Sequence, residues 1–383
     1  MKVAILTHYY KSINYGGNLQ AYALCKVIYK MGFDAEQICY HRVIGKDDKV
    51  FKRIISFIKR TIYSSFNYLF SDLEYRRNMK YRVTSINEFN INKIPHSKQV
   101  FTDDSLNMLN EIYDVFITGS DQVWNPVVLC PGFLLEFCSD DKKKISYAAS
   151  VASNTIDIQK KERIKRAVST FNAVSVREED SVNLFHEMGI DNVEWVADPV
   201  FLVDVKHWRS ISKPVKTSKN YILTYFLGSN KQSRIQAQEF ASSNGFHIIS
   251  IPHLTGEYSR IDSKCKNTKL YDVSPEQLLY LIDHAEVVFT DSFHVTAFSL
   301  IFRKNFYVYK RNQKDDMTSR LLSILHLFSL EDRFIDEHMS CFSVKSKIMY
   351  KENYIDFINY QKKSFEFLRK SLEIPEKDGF KDE

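Results

Sequence analysis

The sequence predicts an α/β protein of two domains, each built on a largely parallel sheet, and three observations carry that reading. Short β-branched runs alternate with segments of helical period along most of the chain, which is how strands joined by helical crossovers read. Its 383 residues are enough for about two domains at roughly 100–200 residues each. The alternation lapses over residues 204–220, around Lys213-Pro214, and then restarts, so this stretch is read as a linker. An apolar share of 44% with only 11 Gly and 8 Pro excludes a disordered or collagen-like chain.

The first domain, residues 1–204, opens with a strand at 3–7. A helix follows over 19–31, where Leu19, Ala23, Leu24, Val27, Ile28 and Met31 recur at helical spacing before Gly32 closes it. A strand starts at 38–40, and further strands fall at Val115–Thr118, 145–149 and Val174–Val176, with helices at 158–171 and 178–188. In the second domain, residues 220–340, the order is strand 221–227, helix 232–242, strand 246–251 and a helix that Ser274 caps with Pro275 in first position. Strand Val287–Thr290, helix 294–302, strand 306–309 and helix 318–328 complete it. Residues 341–383 form a helical extension centred on 353–372 and a polar tail. Two similar α/β halves facing one cleft make a GT-B-like, double Rossmann-like layout.

The net charge of +6 is local. Residues 49–82 hold nine Lys and Arg against Asp72 and Glu74, so the rest of the chain is close to neutral. Within this excursion Phe51, Ile54, Ile55, Ile58, Ile62 and Leu69 fall near helical spacing. Two readings stand: an excursion that packs its apolar stripe and leaves its charges solvated, or, through residues 49–70, peripheral contact with anionic lipid or a lipid-linked substrate. No aromatic-interleaved or recognition-helix motif points to nucleic acid. Six scattered cysteines without CxxC spacing, an N-terminus without signal-peptide layout and no run of ~18 apolar residues point to a reduced, cytoplasmic protein, at most touching the inner face of the membrane, with no metal site.

Five segments sit where strand ends would face the cleft. Asn14-Tyr15-Gly16-Gly17-Asn18 follows the first strand and opens a helix; paired glycines admit close approach, and helix-start N–H groups favour an anion, although a Gly-Gly turn is as readily structural. Ser120, Asp121, Gln122 and Asn125 crowd one loop beside Trp124, a composition suited to a sugar; the alternative is an Asx turn satisfying its own backbone. Ser146-Tyr147-Ala148-Ala149-Ser150 offers small residues at a strand end. Arg177 follows an apolar strand and can fork onto a phosphate or carboxylate, or pair with Glu178 or Glu179. Thr290-Asp291-Ser292-Phe293-His294 turns a strand into a helix with a histidine near its start.

Taken together, these segments resemble the polysaccharide pyruvyl transferases. The resemblance runs through most of residues 1–325 and includes Gly119-Ser120-Asp121-Gln122-Val123-Trp124-Asn125, Ser175-Val176-Arg177-Glu178 and Ala197-Asp198-Pro199-Val200 beside the glycine loop and the His294 run. It implies a GT-B-like fold and transfer of a pyruvyl group from phosphoenolpyruvate to a sugar diol of a surface-polysaccharide or lipid-linked oligosaccharide precursor, forming a ketal without cofactor or metal. It further implies donor contacts from Arg177, Gly16, Gly17, Asn18, Ser292 and Arg320, and acceptor contacts from Ser120, Gln122, Trp124 and Asn125. For catalysis it points to His294, with Asp121 and then Asp291 as candidates to activate a hydroxyl. Ser292 stands where some members carry Arg, so a further cation would come from Arg320, Lys310 or Arg311, or be absent. A nucleotide-sugar glycosyltransferase, for which Asp315 and Asp316 could hold a ribose, and a non-catalytic sugar- or nucleotide-binding module are the competing classes.

Overall fold

The structure is a computed structural model, and it describes residues 1–42, 73–153, 156–218, 220–253, 267–311, 318–336, 339–344, 347–351 and 354–373. The amphipathic stretch at 49–70, with its expected lipid contact, lies outside the described residues.

Two parallel sheets face each other. The first has the order β3-β2-β1-β4-β5, built from β1 (Lys2–Leu6), β2 (Asp34–Tyr40), β3 (His96–Phe101), β4 (Val115–Thr118) and β5 (Lys143–Ser146). Two short strands, β6 (Val174–Val176) and β7 (Val193–Trp195), continue it through single bridges from Ile145 to Ala173 and from Ala149 to Val176. The second sheet runs β10-β9-β8-β11-β12-β13: β8 (Tyr221–Tyr225), β9 (His247–Ser250), β10 (Thr268–Lys269), β11 (Val287–Thr290), β12 (Asn305–Tyr309) and β13 (Phe334–Ile335). Strands β4, β8 and β11 are buried along their whole length, as expected of parallel strands covered on both faces.

Helix starts are written into the sequence. Asn14 caps α1 (Tyr15–Lys30) by accepting from the Gly16 N–H at 3.0 Å. After α2 (Leu73–Lys93) come α3 (Ile158–Val168), capped by Asp157, and α4 (Glu179–Glu187). The 204–220 stretch is only partly a linker. Asp204 accepts from the Lys206 N–H and starts α5 (Val205–Ile211), a helix too short for its period to register, which buries Trp208. The second half holds α6 (Lys231–Asn244), α7 (Pro275–His284) with a full Ser274–Gln277 capping box, α8 (Phe293–Ile301) and α9 (Ser319–His326).

Helix α10 (Ile355–Ser371) returns to the first half. Ser364 Oγ accepts from the Ala197 N–H at 2.8 Å, and Gln361 donates to the Phe201 carbonyl at 2.6 Å. One apolar core spans both halves, from Leu19 and Val27 to Leu223 and Phe298. The halves are also pinned by polar ties: the Tyr15 hydroxyl donates to the Val273 carbonyl at 2.6 Å, and the Arg82 guanidinium donates to the carbonyls of Tyr271, Pro252 and Leu270. Arg82 departs from the expectation of solvated charges in the basic excursion. It is buried beside Ile86 and Phe89 on the packed face of α2, a site available to a cation because three carbonyls converge on it.

Candidate functional site

The strand ends of both sheets meet at a seam, and charged groups concentrate there. Arg177, at the end of β6, is buried. Its Nη1 donates to Asp198 Oδ2 at 3.1 Å, its Nε donates to Glu178 Oε1 at 3.3 Å, and Asp121 Oδ1 lies 3.9 Å from Nη1. Its guanidinium also stacks 4.6 Å from the Phe293 ring of the second half. Burial alone would lower the Arg177 pKa, but Glu178, Asp198 and Asp121 outweigh it and raise the pKa above the ordinary arginine value.

Asp198 is the hub. Oδ1 accepts from the Val200 N–H at 3.1 Å, and Oδ2 accepts from Ser120 Oγ at 3.1 Å as well as from Arg177. His294 Nε2, from the first turn of α8, lies 3.5 Å from the same Oδ2. Burial works to raise the Asp198 pKa, yet His294, Arg177 and the Val200 N–H prevail and hold it well below the usual carboxylate range. The Ala197-Asp198-Pro199-Val200 motif was visible in sequence, but Asp198 was not among the site residues expected there.

The approach of the halves explains one of the glycines. A Cβ on Gly16 would fall 2.1 Å from His294 Nδ1, so only glycine lets the start of α1 pass under that imidazole. Gly17 lies against Asp121, whose Oδ2 would sit 3.2 Å from an added Cβ. Asn18 is buried; its Nδ2 donates to the Ser12 carbonyl at 3.1 Å, and its Oδ1 has no partner. On the β4 side the Gly119–Ser120 peptide is cis. Gly119 has φ 121°, and a Cβ there would meet the Tyr147 carbonyl at 2.1 Å.

Second-half cations complete the seam. Arg311 Nη2 donates to the Asp291 carbonyl at 2.8 Å. Arg320, at the start of α9, is only 6% exposed, and its Nε has no hydrogen-bond partner. Burial pushes the Arg320 pKa down to about 9, with Arg311 and Arg177 adding like-charge repulsion. Arg177 Nη2 and His294 Nε2 are likewise buried without a hydrogen bond. Arg177, Asp198, Phe293, Arg320 and Tyr360 line a void of about 10 Å³, at the limit of what one water needs.

The other expected residues separate into two groups. Asp121 is at the seam, 8% exposed, with no hydrogen bond to its carboxylate among the described residues. His8 lies beside it, and burial pushes the His8 pKa down against the raising pull of Asp121. Asp291, by contrast, is spoken for: its two oxygens accept from the Leu227 and Gly228 N–H groups, both at 2.7 Å, which shapes the loop after β8. Ser292 begins α8 without a side-chain cap bond. Trp124 does not face a ligand; it is wholly buried, donates to the Phe133 carbonyl at 3.2 Å and packs on Phe185, because its apolar bulk joins the first-half core. Asn125 Oδ1 accepts from the Val127 N–H at 2.9 Å, an Asx turn closing on its own backbone. The Gln122 carbonyl lies 3.2 Å from His8 Nε2. Among the described residues no three His, Cys, Asp or Glu side chains group to hold a metal ion, and no helix is long and apolar enough to cross a membrane.

Known structures share this architecture. A UDP-GlcNAc 2-epimerase from Methanocaldococcus jannaschii superposes with a TM-score of 0.52 at 13% identity, covering 94% of this chain and 92% of that one. A mutant of Staphylococcus aureus TarM, solved with UDP, superposes with a TM-score of 0.50 at 10% identity, covering 96% of each chain. At these identities the likeness establishes the GT-B-like fold and nothing further. No curated protein sequence matches the chain. The family model for polysaccharide pyruvyl transferase matches residues 14–313, from the glycine loop through β12, and the chain belongs to that family.

Proposed function

We propose that the protein transfers a pyruvyl group from phosphoenolpyruvate to a pair of sugar hydroxyls, with the donor seated at the seam. One observation carries the reading: Arg177 Nη2 and Arg320 Nε, one from each half and on residues that line the same small void, are buried without a hydrogen bond, as is His294 Nε2, which has only the ion-pair contact with Asp198 at 3.5 Å. Buried polar groups are almost always satisfied, so three orphans on cationic or protonatable groups argue for an anion that supplies the acceptors. A phosphate and a carboxylate on one small molecule suit a cluster of forked cations. The void there is too small for that molecule, so donor binding requires the side chains around it to move apart.

The chemistry then assigns itself to groups within reach. A proton delivered to the methylene carbon of phosphoenolpyruvate leaves a cationic centre at C2, where one sugar hydroxyl forms a C–O bond. The bond from C2 to the phosphate oxygen breaks, inorganic phosphate departs, and the second hydroxyl closes the ketal. Two C–O bonds form and one breaks; one hydroxyl proton balances the proton gained by the methyl carbon, and the other leaves with phosphate. His294 is the proposed proton donor. Asp121 is the proposed base for the sugar hydroxyl and ranks ahead of Asp291, whose oxygens are both held by backbone donors. Arg177, Arg311 and Arg320 stabilise the leaving phosphate.

The test is product formation. The protein incubated with phosphoenolpyruvate and a panel of methyl hexosides should release phosphate and yield a glycoside heavier by one pyruvyl ketal. Thermal stabilisation by UDP- or GDP-sugars and none by phosphoenolpyruvate would refute the reading in favour of a nucleotide-sugar enzyme.

A further inference from the structure

Part of the seam is built from chain beyond the stretch that matches the family. The family model ends at residue 313, yet the void beside Arg177 and Asp198 is also walled by Arg320 from α9 and by Tyr360 from α10. A hydroxyl registers α10 there: Ser364 Oγ accepts from the N–H of Ala197, the neighbour of Asp198, and donates to the Tyr360 carbonyl at 2.6 Å. The Tyr360 ring packs against Trp195 with centroids 4.5 Å apart, and only 9% of the residue is exposed. A phenol held in this way is placed before any ligand arrives.

The polar groups around the void divide into engaged and unengaged. Asp198 accepts from Val200, Ser120 and Arg177, Ser323 Oγ donates to the Ser319 carbonyl at 3.0 Å, and Trp195 Nε1 donates to the Arg177 carbonyl at 3.1 Å. Arg177 Nη2 and Arg320 Nε have no hydrogen bond, and the Tyr360 hydroxyl makes none among the described residues. Burial, reinforced by Tyr147, Asp198 and Glu178 against the pull of Arg177, pushes the Tyr360 pKa well above the ordinary tyrosine value, so the oxygen keeps its proton and meets an anion as a donor. Arg320 already feels the charges of Arg311 and Arg177, and a neutral donor adds a bond to the anion without adding to that repulsion. We propose that the Tyr360 hydroxyl is a third donor to the anion at the seam, beside Arg177 Nη2 and Arg320 Nε, so that the C-terminal helix completes a site the family-matching stretch leaves open. That the anion is phosphoenolpyruvate rests on the pyruvyl-transfer reading; that the hydroxyl serves a small phosphate or carboxylate does not.

Calorimetric titration of phosphoenolpyruvate and, separately, of inorganic phosphate into the full chain and into Tyr360→Phe tests this, with urea unfolding measured on both proteins. The variant should bind phosphoenolpyruvate about tenfold more weakly, the worth of one hydrogen bond to a charged oxygen. Its unfolding midpoint should not change, because the missing hydroxyl strands no partner. A parallel loss for inorganic phosphate puts the hydroxyl on the phosphoryl end of the donor, and a loss confined to phosphoenolpyruvate puts it on the carboxylate. Equal phosphoenolpyruvate affinity in the two proteins, or a loss that accompanies a lowered midpoint, would overturn the proposal. A wild type that binds inorganic phosphate but not phosphoenolpyruvate would remove the pyruvyl-transfer reading, and the phosphate titration would then decide: weaker binding by Tyr360→Phe sustains the role of the hydroxyl, and equal binding ends it. Failure of the wild type to bind either ligand would overturn both.

Discussion

The two sides of the seam are built from opposite materials. The first half brings three carboxylates, Asp121, Glu178 and Asp198, around one guanidinium, and that guanidinium is paired with two of them by hydrogen bonds. From the second half come His294, Arg311 and Arg320, and the carboxylate beside Arg311, Asp291, is already occupied by backbone donors. Arg177 is thus held in its own half, while Arg320 has no such partner. The difference teaches how two buried cations divide the work: Arg177 adds to integrity through Nε and Nη1 and keeps Nη2 for a ligand, whereas Arg320 pays its desolvation cost without a counter-ion.

Substitutions can break this contrast. The largest effect is expected from His294→Ala, where kcat should fall by about 10²–10⁴, the usual worth of a positioned proton donor; near-wild-type turnover in a folded variant would remove the histidine from the chemistry. Arg177→Ala should cost about 3–5 kcal/mol of stability, because it strands Asp198 and Glu178 as buried charges; urea unfolding reads this directly, and an unchanged midpoint would contradict the structural role. Asp121→Asn and Asp291→Asn should part ways. The first should lower kcat about 100-fold at unchanged stability, and the second should cost about 1–3 kcal/mol through the Leu227–Gly228 loop with a smaller loss of turnover. Equal kinetic losses would put Asp291 back in contention as the base.

The smallest signal is the pH dependence of Asp198. Its carboxyl is held below the ordinary range, so its stabilising contribution is fully present above the unfolded value near ~4 and is lost as pH falls toward the folded one. The melting-temperature gap between the wild type and Asp198→Asn should therefore be flat from about pH 5 to 8 and close only below about pH 4. A gap that changes around neutrality would mean that another group governs the pair.

Much of the fold was legible because parallel strands buried on both faces read as apolar runs: Val115–Thr118, Val174–Val176 and Val287–Thr290 stand where expected. Strand β3 was not, since His96–Phe101 is an edge strand with a polar, exposed middle, and β7, β10 and β13 have too few residues to show a period. At the site, the strand-end loops gave Arg177, Asp121 and His294. They could not give the hub role of Asp198, because its partners Ser120, Arg177 and His294 are distant in sequence and meet only through the fold. Trp124 misled for the converse reason: composition suggested a sugar platform, and long-range packing against Phe171 and Phe185 claimed the ring.

The account is tested most directly by calorimetric titration of phosphoenolpyruvate into the wild type and into Arg320→Gln, with unfolding measured on both. We expect saturable binding by the wild type and a loss of about tenfold or more in the variant, whose stability is not reduced, since relieving a buried unpaired cation carries no structural penalty. Equal affinity in the two proteins, or binding lost only in step with unfolding, would contradict the claim that the second half's unpaired cation receives the donor.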